Sequence, residues 1–296
     1  MGRQLAESSA DARLIYEEAS DFLGYQVLDL DADSLATTAY AQPAIITLSL
    51  AAWRAFSASQ DRIQTEALPL AFAGFSLGEY SAIGAAGLLS LPRLLELVRE
   101  RGQLMQEAAE ANPGAMYAVL GLDDDKIIGL LESERYQGKV YAANFNAPGQ
   151  LVISGLEAPA ADCADELRTA GARRIVKLNV NGAFHTPFMA SAAAGLVRFA
   201  RNLPFQSRPL AFFANPTGAR KDEMLDWPDY LAMQMCNPVR WIDEVQAIAR
   251  EGAAGFYEFG PGKVLSGLIR KIIPGMATWS IEDPAGLDAA LQSLRQ

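Results

Sequence analysis

Histidine occurs once in this chain of 296 residues, and cysteine only twice. Two cysteines, Cys163 and Cys236, make no disulfide framework and read as ordinary thiols of a reducing cytosol. One histidine and two cysteines also fall short of the four nitrogen and sulfur ligands of a structural zinc site. Half of the residues are hydrophobic, yet no uninterrupted apolar run reaches the roughly 20 residues of a membrane span. No basic-plus-apolar leader opens the chain. Positive charge is scarce: 25 Lys and Arg against 35 Asp and Glu give a net charge of −10, which argues against nucleic acid as a partner. There is no internal repeat and no low-complexity linker. The expectation is a cytoplasmic protein long enough to bury a large core, as one large domain or two unequal ones.

Against that background the most informative segment is Gly74-Phe75-Ser76-Leu77-Gly78. It follows the apolar run Leu70-Ala71-Phe72-Ala73 and precedes Glu79-Tyr80-Ser81-Ala82-Ile83. That order predicts a strand, a sharp turn and a helix, with Ser76 at the apex. A serine hydroxyl is a poor nucleophile unless it is held rigidly, exposed and next to a base. A strained strand-to-helix turn holds it, and flanking glycines keep side chains out of the turn. The new helix aims its first N–H groups at negative charge developing nearby. G-x-S-x-G is a short pattern in a chain with 24 glycines, so its position between strand and helix carries the argument.

A base for Ser76 must be His185, the one imidazole available. It lies in Gly182-Ala183-Phe184-His185-Thr186-Pro187, after the strand-like run Arg173 to Val180 and before Pro187, where a helix could begin. Loops on rigid scaffolds are where catalytic bases concentrate. A third group is needed to orient the ring. An Asp or Glu could do so, and so could a backbone carbonyl, which also fixes the tautomer.

These residues resemble a family: the malonyl-CoA:acyl carrier protein transacylases, acyltransferases of fatty acid and polyketide synthesis. The resemblance covers essentially the whole chain. It includes Gly74 to Ala82, Arg101-Gly102-Gln103-Leu104-Met105-Gln106, Asn144 to Gln150, Gly182 to His185, Gln234 to Trp241 and Glu258 to Leu265. It implies that Ser76 takes the acyl group, that His185 is its general base and acid, and that the Leu77 N–H is one oxyanion-hole donor. It implies that Arg101 grips the free carboxylate of a malonyl group, and that Gln234 is the site glutamine whose carbonyl orients the histidine. A guanidinium is a suitable clamp for such a carboxylate because it can pair bidentately. The substrates implied are malonyl-CoA and the phosphopantetheine thiol of acyl carrier protein, with no metal or redox cofactor and with the chain acting as a monomer. An acidic carrier protein docking on a chain of net charge −10 needs a local basic rim, for which Lys263, Arg270, Lys271, Arg173 and Arg174 are candidates.

Two features depart from the family pattern. Phe75 stands where histidine is usual; that position is a packing neighbour of the elbow, so serine chemistry is expected to survive with pocket shape or acyl preference changed. The family also opens with a short strand and a Gly-Gln-Gly-Ser-Gln loop, whereas Met1 to Glu7 resembles the helix just after it. That piece supplies a central strand and the second oxyanion donor, and loss of one such donor costs on the order of 100- to 1000-fold in rate. Residues 1–296 are therefore expected to be unstable or poorly active alone. Two rival readings follow: an acyl-thioester hydrolase of the same fold, and a catalytically impaired carrier-protein-binding module.

The fold expected is α/β: an α/β-hydrolase-like large subdomain with a parallel sheet, formed by residues 1–112 and 182–296, carrying an inserted ferredoxin-like small subdomain at 113–181. Helices are expected over Leu14 to Leu30, over Gln42 to Phe56 with Pro43 in the first turn, and from Pro92 to about Glu110. The insert reads as strand Ala115–Leu120, helix from Asp123 through Glu134, strands Lys139–Asn144 and Leu151–Ser154, helix Pro159–Ala170 ended by Gly171, and strand Arg174–Val180, a β-α-β-β-α-β order. Further strands are expected at Pro209–Ala214 and Gly255–Phe259. The site would lie between the two subdomains, where small-molecule pockets concentrate.

Overall fold

The computed structural model of the protein describes residues 1–63, 71–207, 211–221 and 226–295. The chain opens in helices: Arg3–Ser8 and Ala10–Leu23 pack together and against the long helix Thr38–Ile63. Ser9 caps the second helix by accepting from Ala12 N, and Gly24 ends it at φ 78. The long helix begins four residues before the expected Gln42, so Pro43 lies inside it. A proline there removes one ladder donor, and its own carbonyl accepts the Thr47 hydroxyl at 2.8 Å. Helix Leu91–Ala111 has Pro92 in its first turn, as expected, and buries a face that includes Leu94, Leu95, Val98, Arg101 and Met105.

Four strands, β1 (Gly114–Leu120), β2 (Val140–Ala147), β3 (Gln150–Leu156) and β4 (Arg174–Lys177), form one antiparallel sheet in the order β2-β3-β1-β4. Helix Asp124–Leu131 joins β1 to β2, and helix Glu157–Thr169 joins β3 to β4. This is the ferredoxin-like arrangement, with its own core of Val119, Ile127, Leu151, Ile153, Cys163 and Leu167. Asp123 caps the first of these helices by accepting from Asp125 N, but the helix stops at Leu131, short of Glu134. Strands β2 and β3 are joined through Pro148 and Gly149, the latter at φ 67. Strand β4 ends at Lys177, short of Val180. There the chain turns toward His185, and Leu178, Val180 and Phe184 pack on Met116, Ala143 and Val152.

The larger unit is α/β. Strand β5 (Phe212–Ala214) forms a short antiparallel hairpin with β6 (Ala219–Lys221), and β7 (Gly255–Phe259) lies parallel to β8 (Ala277–Ile281). Strand β7 has the bounds read from the sequence. The strand expected before the elbow is reduced, among the described residues, to a parallel bridge between Phe72 and Phe212, with Phe72 N donating to Ala211 O at 2.8 Å and Phe213 N donating to Phe72 O at 3.1 Å. Leu70 and Pro209, which were expected to open these strands, lie outside the described residues. Helix Thr38–Ile63 covers β7 through Trp53 and Phe56, which pack on Phe259 and Tyr257. A separate cluster, Ala147, Val239, Trp241, Val245, Leu268 and Ile269, ties the end of β2 to the larger unit.

Candidate active site

Ser76 stands at the entry to helix Gly78–Ala85 with φ 52, in the left-handed region that an L side chain seldom adopts. Such a conformation costs about 1–3 kcal/mol and persists only when the surroundings enforce it. They do so here with three hydrogen bonds. Ser76 N donates to Asn215 Oδ1 at 2.8 Å, Asn215 Nδ2 donates to Gly74 O at 2.6 Å, and Gln234 Nε2 donates to Ser76 O at 2.8 Å. Gly74 is sterically required: a Cβ on it would meet backbone atoms of Gly78 and Glu79 at 2.0–2.2 Å. Gly78 is not required in that way, since a Cβ there would meet nothing within 4 Å. The turn is crowded only on its N-terminal side, a correction to the expectation that both glycines relieve it.

His185 reaches Ser76 from the return connection of the small sheet. Its Nε2 lies 2.8 Å from Ser76 Oγ, and its own backbone is held at φ 59. On the other side of the ring Nδ1 faces two carbonyl oxygens, Gln234 O at 3.2 Å and Asn237 O at 3.1 Å. Two acceptors require the proton on Nδ1, which leaves the Nε2 lone pair free to accept from the serine hydroxyl. The orienting group is thus not a carboxylate but the C-terminal end of helix Trp227–Cys236, whose last carbonyls carry partial negative charge. Burial, helped by the nearby positive charge of Arg101 and opposed by the two carbonyls, pushes the His185 pKa down to about 4. The ring is therefore neutral at pH 7, in the state that can take a proton.

Arg101 is 2% exposed. Its Nη1 donates to Gln42 Oε1 at 2.9 Å, its guanidinium carbon lies 5.1 Å from the centre of the Tyr80 ring, and its Nε has no partner. Among the described residues it makes no ion pair. Glu79, the carboxyl next to Tyr80, does not supply a full counter-charge: burial raises its pKa to about 8, against hydrogen bonds from Tyr230 and Asn215 and the charge of Arg101. A buried cation without a counter-ion costs several kcal/mol, and the Arg101 guanidinium bears that cost in this structure.

Comparison with known proteins bears on this geometry. The family model described as "Acyl transferase domain" matches residues 1–272. The chain belongs to the acyl transferase family. It is 36% identical over 302 residues to the malonyl CoA-acyl carrier protein transacylase of Bacillus subtilis, covering 100% of this chain and 93% of that protein. Its fold is similar to the acyl-carrier-protein S-malonyltransferase of Burkholderia pseudomallei, with a TM-score of 0.91 and 36% identity over 99% of this chain and 95% of that one. It is equally similar, at a TM-score of 0.91 and 34% identity over 99% of this chain and 94% of that one, to a malonyl-transacylase solved in complex with its type II PKS acyl-carrier protein.

Four of the five residues singled out in the sequence have specific contacts in this acyl transferase site. Ser76, His185 and Gln234 touch one another, and Arg101 lies close enough to depress the histidine pKa. Gln234 acts twice, its carbonyl on the imidazole and its side-chain amide on the Ser76 carbonyl. Leu77 occupies the N-cap position of helix Gly78–Ala85. The next three amides are spent on the elbow's own carbonyls, Gly78 N on Phe75 O, Glu79 N on Ser76 O and Tyr80 N on Leu77 O, while nothing among the described residues accepts from the Leu77 N–H. Phe75 packs edge-on against Trp241 with centroids 5.9 Å apart, the neighbour role expected of it. The sequence reading missed Asn237, Asn215, Gln42 and the buried pair Glu79 and Tyr230. Asn237 and Glu79 had a signal, lying within the family-like runs Gln234 to Trp241 and Gly74 to Ala82.

Proposed function

We propose that this acyltransferase moves a malonyl group from malonyl-CoA to the phosphopantetheine thiol of an acyl carrier protein through an acyl-serine intermediate. The observation that carries the reading is the pairing of an activated serine with a buried guanidinium that lacks a counter-ion. A thioester whose acyl group ends in a carboxylate supplies both partners at once: a carbonyl for Ser76 and an anion for Arg101. The names of the relatives and the carrier-protein complex support the same substrates.

In the forward half-reaction Ser76 Oγ attacks the thioester carbonyl as His185 Nε2 accepts its proton. The Leu77 N–H is offered to the developing oxyanion. The imidazolium is stabilised by the Gln234 and Asn237 carbonyls at Nδ1. Collapse of the tetrahedral intermediate breaks the C–S bond, and the departing coenzyme A sulfur takes the proton from Nε2. The carrier-protein thiol then gives its proton to His185, attacks the acyl-serine, and Ser76 leaves with that proton returned. No metal or redox cofactor enters these steps. One chain carries every group they use, so the reading is of a monomer, and with two free thiols its setting is taken as the cytoplasm.

The test is direct. Protein mixed with malonyl-CoA, quenched in acid and weighed intact is expected to carry one malonyl adduct, absent from Ser76→Ala and discharged by holo acyl carrier protein. An adduct that survives in Ser76→Ala removes Ser76 as the nucleophile. Discharge to free malonate at the same rate with and without carrier protein would make the chain a hydrolase.

A further inference from the structure

Asn215 is fully buried, and every polar atom of its side chain is engaged. Oδ1 accepts from Ser76 N at 2.8 Å. The two hydrogens of Nδ2 go to Gly74 O at 2.6 Å and to Glu244 Oε1 at 2.8 Å. Its backbone N donates to Glu79 Oε1 at 2.8 Å, and that oxygen also accepts the Tyr230 hydroxyl. The pattern fixes which end of the amide is which. Flipped, the side chain would set its oxygen against the Gly74 carbonyl and the Glu244 carboxyl, and its nitrogen against the Ser76 N–H.

The two contacts on the elbow have a particular form. Gly74 C=O and Ser76 N–H, either side of Phe75, face an amide that offers them N–H and C=O in return. A neighbouring strand would give the elbow the same pair of bonds. Only an uncharged carboxamide of this length supplies both. Because Ser76 sits at φ 52, its N–H and carbonyl must be captured in that unusual direction, and Gln234 Nε2 captures the carbonyl at 2.8 Å.

We propose that Asn215 is a positioning residue for the acyl transfer: by pairing with Gly74 and Ser76 it holds the strained nucleophile in register with His185, and Glu244 and Glu79 hold Asn215. It touches neither substrate nor reacting atoms, so its loss acts on the rate of acylation and not on acyl-CoA binding. The proposal rests on the malonyl-transfer reading above. A misplacement of about 1 Å at a reacting group costs on the order of 100-fold in rate, and that is the scale expected here.

The experiment compares wild type, Asn215→Asp and Ile127→Ala, the last a core variant on helix Asp124–Leu131 beside the small sheet, far in sequence from the elbow. Rapid-quench acylation by malonyl-CoA gives a maximal rate and a half-saturating concentration for each, and thermal unfolding reports folding. Asn215→Asp keeps shape but donates at most one hydrogen bond where the amide donates two. It is expected to be folded at 20 °C and to acylate about 100-fold more slowly, with half-saturation changed less than threefold. Ile127→Ala is expected to stay within about threefold of wild type even if it melts as low as Asn215→Asp, a split that general loosening would not produce. If Asn215→Asp does not fold, Asn215→Ala is judged by the same numbers. Acylation of the Asn215 variant within threefold of wild type, an equal loss in Ile127→Ala, or failure of both Asn215 variants to fold would overturn the proposal. Absence of malonylation in wild type while a serine-directed phosphonate still labels Ser76 would instead refute the malonyl reading. In that case the phosphonate rate of Asn215→Asp decides the positioning role by the same 100-fold criterion.

Discussion

Ser76 and His185 both hold a left-handed backbone at a position where the sequence could have placed glycine, φ 52 and φ 59. Each costs stability of about 1–3 kcal/mol, and both side chains meet at a single 2.8 Å contact. Strain of this kind is retained where the side chain is indispensable and its direction matters. Arg101 makes the same point through charge. Removing it relieves a buried, uncompensated cation, so Arg101→Ala should not lose stability by breaking an ion pair. It should lose activity selectively. Truncating one member of a desolvated charge pair in a complex costs roughly 2–5 kcal/mol. Malonyl transfer by Arg101→Ala is therefore expected to fall by at least one and up to three or more orders of magnitude, while transfer from acetyl-CoA, which has no free carboxylate, falls far less. Steady-state kcat/KM for both donors checks this. Equal losses with the two acyl groups would reduce Arg101 to a structural residue.

At the scale of elements, the helix that opens at the elbow carries a buried acid in its first turn. Glu79 is fully buried, accepts from Asn215 N and the Tyr230 hydroxyl, and leaves Oε2 without a partner. The folded chain keeps its proton up to about pH 8, whereas the unfolded chain releases it near the ordinary 4.5. Between those values the folded state binds more protons, so Glu79 removes stability as pH rises. Glu79→Gln imitates the neutral acid in shape. It is expected to melt close to wild type at pH 5 and several degrees above it at pH 8, and an offset that does not change with pH would contradict this. The same region shows what a sequence can disclose. Gly74-Phe75-Ser76-Leu77-Gly78 is a local pattern, and a lone histidine needs no search, so Ser76 and His185 were legible. Strand β7 was legible because an apolar run follows a glycine break. Strand β6, Ala219-Arg220-Lys221, was not, since three polar-rich residues in a hairpin show no alternation. Asn215, Tyr230 and Glu244 were not legible either. Polar residues read as solvated by default, and the contacts that bury them span 29 to 151 positions of chain.

At the scale of the whole molecule, the Ser76–His185 contact depends on how the small sheet is seated. Ser76 belongs to the larger unit, and His185 arrives on the chain leaving β4. The carbonyls that orient its ring are at the end of helix Trp227–Cys236 and at its cap, Asn237. Two residues on, Val239 N donates to Ala143 O at 2.8 Å and Phe145 N donates to Val239 O at 2.9 Å, so β2 of the small sheet is hydrogen-bonded to the segment that positions the histidine. The apolar cluster around Trp241 closes the same joint. It contains Ala147 at the end of β2, Val239, and Leu268 and Ile269 of helix Val264–Ile272, with Phe75, the residue before Ser76, against the indole. One side chain thus touches the elbow and shares its cluster with the end of the small sheet. Trp241→Ala is expected to destabilise the chain by about 3–5 kcal/mol, the usual cost of deleting a large buried aromatic. The more specific expectation concerns cooperativity. With the joint intact the two units should unfold in one calorimetric transition, because β2 cannot leave the larger unit without breaking those backbone bonds and that cluster. With the indole removed, the transition should broaden or split, and amides of β2 and β3 should exchange faster than those of helix Leu91–Ala111. Acylation should slow in the same variant, since the carbonyls at His185 Nδ1 lose their support. Calorimetry, hydrogen exchange and rapid-quench acylation on one preparation test the chain of reasoning together. A single sharp transition at the wild-type temperature, with acylation unchanged, would mean that the joint is held elsewhere and that the site does not depend on it.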